Sequence, residues 1–149
     1  MKKADEIPAD FGVWFLDKIT DVTESVLEGV NDDMSETDRS KKSRENISGL
    51  TKKAKEGKSD ETFSVKVKPF YYGNYYYMFT YNIFNDVRLV GAPPSSIGKY
   101  GGDTDNWMWP RHTGDFTLFR VYANDSNQPC AYDENNKPYD PKHALPVSI

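Results

Sequence analysis

Mainly antiparallel β-structure with minor helix is the fold class predicted by this 149-residue sequence. Three observations carry the prediction. Sixteen of the 21 aromatic residues lie between positions 63 and 122, where polar and apolar residues alternate as they do along strands. Turn residues, not helical periods, separate those runs. The charged residues gather elsewhere, with sixteen of the 31 positions from 31 to 61 being Asp, Glu, Lys or Arg.

The elements follow in chain order. Phe11 to Leu16 is an apolar run, FGVWFL, short enough for a buried strand. Ile19, Val22, Val26 and Val30 recur at spacings of three and four and predict a helix, with Asp21 and Glu24 near its start in a capping arrangement. The charged segment, residues 31–61, has few apolar anchors. Its alternating signs predict a solvated helix, or a helical hairpin interrupted at Gly49, lying as an excursion on the surface. Thr62 to Lys68 alternates, with Phe63, Val65 and Val67 on one face, and Pro69 is expected to end it. Gly73-Asn74 supplies a turn before a long strand, Tyr75 to Phe84, in which Tyr77, Phe79, Tyr81 and Ile83 share a face. Asp86 to Val90 predicts a third strand, and Asp115 to Ala123 a fourth with Phe116, Leu118 and Tyr122 on one side. From Asn124 to Pro141 the sequence is rich in turn formers.

Composition excludes several function classes. Nineteen basic and 23 acidic residues give a net charge of -4, so a nucleic-acid backbone is not an expected partner. No run approaches the roughly 20 apolar residues of a membrane-spanning helix. The start, MKKADEIPADFG, lacks the apolar stretch of a signal peptide. Cys130 stands alone and cannot form an internal disulfide, and two histidines do not make a Cys/His zinc site. Neither a metal nor a cofactor is expected.

The chemistry-bearing stretch is the connection between the third and fourth strands, residues 91–114, GAPPSSIGKYGGDTDNWMWPRHTG. A connection of this length without periodicity is usually functional or disordered. Trp107, Met108 and Trp109 would be costly to leave in water, which favours an ordered, functional loop. Asp103-Thr-Asp105-Asn106 begins like a calcium loop, but Met108 stands where that loop needs glycine and Gly114 where it needs glutamate. His112 and Asp115 lie three apart, yet members of a hydrolytic triad normally come from separate segments. His112 is then a loop-packing or hydrogen-bonding residue. Nothing in the sequence brings Asp86 and Asp115 together as an acid–base pair. Asp115, between Gly114 and an apolar strand, reads equally as a functional carboxylate and as an ordinary strand-start aspartate.

The run DVRLVGAPPSSIGKYGGDTDNWMWPRHTGDFTLFRVYA, Asp86 to Ala123, closely resembles serine peptidase family 46. A weaker match continues through FLDKITDVTESV and KPFYYGNYYYMF, so that the resemblance covers nearly the whole chain. It implies part of a chymotrypsin-like fold of two β-barrels with an additional helical domain. It also implies cofactor-free, homodimeric enzymes that release dipeptides from the free amino end of peptides, in the bacterial periplasm or at the cell surface. On this resemblance Asp115 matches the triad acid, while Asn106 and Trp107 match the anchor for the substrate's amino terminus. The family's catalytic histidine lies well over a hundred residues before its aspartate, and only 114 residues precede Asp115. Its serine lies far beyond Ile149. Neither His112 nor His143 takes the base position, and Ser95-Ser96 belongs to the loop block.

The resemblance therefore implies that residues 1–149 are a partial first barrel, supplying the acid and part of the anchor but inactive alone. Two other readings stay open: a non-catalytic module binding peptide or sugar, and a non-functional gene remnant. A partial barrel leaves open strand edges, and the stretch Phe63 to Phe84 is the expected site of aggregation.

Overall fold

The computed structural model describes residues 5–94 and 116–141. Among them are seven strands, β1 (Ile7–Pro8), β2 (Val13–Asp21), β3 (Phe63–Phe70), β4 (Tyr75–Phe84), β5 (Val87–Gly91), β6 (Leu118–Ala123) and β7 (Lys137–Pro138). Two helices, α1 (Thr23–Val26) and α2 (Glu36–Lys55), fall between β2 and β3. The chain divides into two compact units, Trp14–Ile83 and the pair of stretches Met1–Val13 with Phe84–Ile149.

In the first unit the sheet order is β2-β4-β3. The β3–β4 register places Phe63, Val65 and Val67 opposite Asn82, Thr80 and Met78, and the first of these residues are buried beside α2. The other face carries Lys66 and Lys68 opposite Phe79 and Tyr77, as the alternation requires. Lys66 lies over the Trp14 ring at 4.2 Å, so its stem covers apolar surface while its charge meets the ring. Pro69 does not end β3; it pairs with Tyr76. Proline is tolerated there because β3 is an edge strand, where a missing donor breaks no ladder on its outer side. The hairpin turns through Tyr71, Tyr72 and Gly73, all at positive φ, and Asn74 closes it by donating to the Tyr71 carbonyl.

Two expectations for the first 30 residues need correction. Val13 to Leu16 of the FGVWFL run open a nine-residue strand that is exposed along most of its length, not buried: Trp14 is 45% and Leu16 50% accessible. The helical period beginning at Ile19 is also interrupted, because Ile19 to Asp21 extend β2 and α1 holds only Thr23–Val26. Asp21 does act near the helix start, as its carboxylate accepts from the Thr23 N–H at 2.9 Å and the Thr23 hydroxyl at 2.6 Å. Those bonds hold its pKa below the ordinary value. Val22 and Val26 still bury their side chains as the spacing predicts.

The charged segment forms one continuous helix through Gly49, not a hairpin. Ser35 caps its start by accepting from the Asp38 N–H, acidic residues occupy the first turn, and three lysines occupy the last. Only Ser43 is buried along it, as expected for a solvated helix. Asn46 ties it down by donating to the Val26 and Glu28 carbonyls, both at 2.9 Å.

The second unit holds a four-stranded sheet of order β1-β5-β6-β7, antiparallel at every pairing. Its core is Phe84, Val87, Tyr122 and Ala123, with the Phe84 and Tyr139 rings 4.6 Å apart. The turn-rich stretch from Asn124 is built from Asx turns, in which Asn124 accepts from Ser126 and Gln128, and Asp133 from Asn135.

Candidate functional site

The sequence singled out Asn106, Trp107 and Asp115, together with His112, His143 and Ser95-Ser96; all lie outside the described residues. What the structure describes is the frame from which the connection springs. It leaves β5 at Gly91 and returns at the start of β6, where Gly91 and Leu118 face each other across the ladder. The register shifts between Leu89 and Gly91, so Val90 is the extra residue of a β-bulge. Phe116, Leu118 and Phe119 at the returning end are all exposed, and Phe11 meets Phe119 edge to face at 5.1 Å.

Below this rim the sheet buries a polar network that sequence reasoning did not find. The Asp86 carboxylate accepts from Arg88 Nε at 2.8 Å and from a terminal guanidinium nitrogen at 2.7 Å, a two-pronged pair. Asn136 Nδ2 donates to the same carboxylate at 2.8 Å, and Arg88 also donates to the Asp133 carbonyl. Both charged side chains are almost wholly buried, at 0% and 4% exposure. Arg88 lies between two rings, with its guanidinium carbon 3.9 Å from the Tyr122 centroid and 4.8 Å from that of Tyr132. Tyr122, fully buried, donates its hydroxyl to Glu6 at 2.6 Å, and Glu6 takes a second bond from Arg120. A signal was present: Asp86-Val-Arg88 places both charges on one strand face, opposite Arg120 and Tyr122. No sequence rule shows that this face is the buried one.

The electrostatics make the network structural. Burial pushes the Asp86 carboxyl upward, but hydrogen bonds from Arg88 and Asn136 with the Arg88 charge outweigh it, leaving its pKa below the ordinary value. Asp86 is thus held in its ionised form by its partners. Burial raises the Tyr122 hydroxyl pKa, helped by its bond to Glu6. Burial likewise raises that of Cys130, favouring the protonated thiol. Among the described residues no group of three or more His, Cys, Asp or Glu is placed to hold a metal ion, and no helix is long and apolar enough to cross a membrane.

Comparison with known proteins places this frame in a family. The Asp/Glu-specific dipeptidyl-peptidase of Flavobacterium psychrophilum is 54% identical over 151 residues, covering 100% of this chain and 21% of its own length. Dipeptidyl-peptidase 7 of Porphyromonas gingivalis is 50% identical over 132 residues, covering 89% of this chain and 18% of its own. The crystal structure of Porphyromonas endodontalis DPP11 with the dipeptide Arg-Glu superposes with a TM-score of 0.67 at 41% identity, over 97% of this chain and 22% of that one. The chain therefore spans about a fifth of the length of the relatives it matches. The same mainly β architecture, the block from Asp86 to Ala123 and a match to the sequence model of Peptidase S46 over residues 1–149 lead to one conclusion: the chain belongs to peptidase family S46.

Proposed function

We propose that this chain is the acid-bearing portion of a serine-type dipeptidyl peptidase, a hydrolase that releases dipeptides from the free amino end of peptides. The observation that carries the reading is the family match over the whole chain, with relatives at 54% and 50% identity both named as dipeptidyl peptidases. In this reading the fold is part of a chymotrypsin-like pair of barrels, and the whole enzyme is a homodimer of the periplasm or cell surface.

Asp115 is the triad acid. It holds a histidine supplied by polypeptide outside residues 1–149 in the tautomer that accepts the serine proton, and stabilises the imidazolium that follows. Asn106 accepts from the substrate's ammonium group through its amide oxygen, and Trp107 walls the site. An acceptor for a desolvated ammonium makes the enzyme count from the chain end, because an internal peptide bond carries no such charge. By itself the chain hydrolyses nothing.

The test is a full-length hybrid in which this chain replaces the matching stretch of the Flavobacterium psychrophilum enzyme. The hybrid should release dipeptides from peptides with a free amino end and ignore the same peptides acetylated there. Asp115→Asn should lower kcat by about 10⁴-fold, the loss seen when a triad acid becomes an amide. A folded Asp115→Asn hybrid with unchanged turnover overturns the assignment.

A further inference from the structure

The connection that carries Asp115 hangs between two short strands, and covalent geometry limits how far that residue can lie from them. Two residues separate Asp115 from Leu118, so their Cα atoms lie three steps apart, at most about 11 Å of extended chain. The place where β6 begins therefore determines where a carboxylate at position 115 can reach. Leu118 faces Gly91 only because the bulge falls at Val90. With β5 only five residues long and its ladder broken at the bulge, backbone hydrogen bonds alone specify this register weakly.

The side-chain network supplies what the ladder lacks. Arg88 is held to Asp86, just before its own strand, lies against the Tyr122 ring of the neighbouring strand, and reaches the Asp133 carbonyl beyond it. Tyr122 is in turn fixed by Glu6, just before β1. A slip of β6 along β5 would pull the Tyr122 ring off the guanidinium and draw the Asp133 carbonyl and the Asn136 amide, which follow β6, away from Arg88 and Asp86, leaving buried charges short of partners. We propose that Asp86 and Arg88 are positioning residues for the peptidase reaction, locking the β5–β6 register and with it the point from which Asp115 is presented. This rests on the reading of Asp115 as the triad acid.

The full-length hybrid tests it with Asp86→Asn and Arg88→Met beside Asp115→Asn, each assayed per folded molecule. Misplacing a catalytic group by about 1 Å costs on the order of 10²-fold, so the two network variants should lower kcat about 10- to 100-fold with KM changed less than about two-fold. The acid limb of the kcat/KM profile should move to lower pH, because a histidine less well held by its carboxylate has a lower pKa. A role in stability alone would lower the melting temperature and leave kcat and that limb in place. That outcome, with Asp115→Asn still inactive, overturns the positioning role and leaves the acid assignment standing. Unchanged turnover in Asp115→Asn overturns the acid assignment itself, and the positioning role with it. Should Asp86→Asn not fold, Tyr132→Leu removes only the half-exposed outer ring over Arg88. It is expected to lower kcat a few-fold with the same shift of the acid limb, and unchanged values there overturn the proposal.

Discussion

Asp86 stays ionised with no exposed side-chain surface because N–H groups from Arg88, Asn136 and the Asp133 backbone converge on it. Breaking such a pair from one side is worse than never building it, since the remaining guanidinium is left buried and uncompensated. Asp86→Asn in the isolated chain should therefore cost about 3–5 kcal/mol, read as a lowered urea midpoint. The pH dependence follows from the sign of the shift. The folded pKa lies below the unfolded value of about 3.9, so the stabilisation is complete above that value and is lost as pH falls through the lower, folded one. Urea midpoints below about pH 4 should fall more steeply for the native chain than for Asp86→Asn. In the sequence this residue read as the start of a strand, with nothing placing it beside Asp115 as an acid–base partner. Its actual role depends on Asn136, fifty positions away, which no local pattern connects to it.

Among the elements, α2 was legible from charge alternation, a property of one helix with its own solvent face. Its continuity through Gly49 was not, because a glycine lowers helix propensity without forcing a break. A methyl group added there meets nothing within 4 Å. Gly49→Ala should raise stability by about 0.5–1 kcal/mol. Asn46→Ala should lower it by about 1–3 kcal/mol through the two carbonyls it releases. Thermal melts compare the two, and hydrogen exchange confined to α1 and α2 would show that the Asn46 effect acts through their junction. The strands behaved similarly: β4 runs from Tyr75 to Phe84 as the alternation predicts, whereas β2 consumed residues whose spacing suited a helix. Ile19 satisfies both periods, and pairing within the sheet decided between them.

Among the described residues, β2 leaves a continuous apolar edge open, with Trp14, Phe15, Leu16 and Ile19 all exposed on an edge strand. In the expected aggregation stretch, Phe63 to Phe84, β4 is central and Phe63 and Val65 are buried beside α2, while Phe70, Tyr71, Tyr72 and Tyr75 stand exposed at the hairpin end. A long apolar edge is a template for pairing with other chains. Leu16→Lys should therefore reduce self-association of the isolated chain, measured by light scattering against concentration. Asp86→Asn should increase it by populating unfolded chains.

The sequence by itself determined the fold class, the paired strands and the family, because alternation, turn chemistry and a long block of specific residues are local properties. Only the tertiary structure decided that β2 is exposed, that Gly49 leaves a helix intact, and that Asp86, Arg88, Tyr122 and Glu6 share one buried network. Burial and charge pairing are relations between distant segments, and their energies exist only once the sheet has brought those segments together.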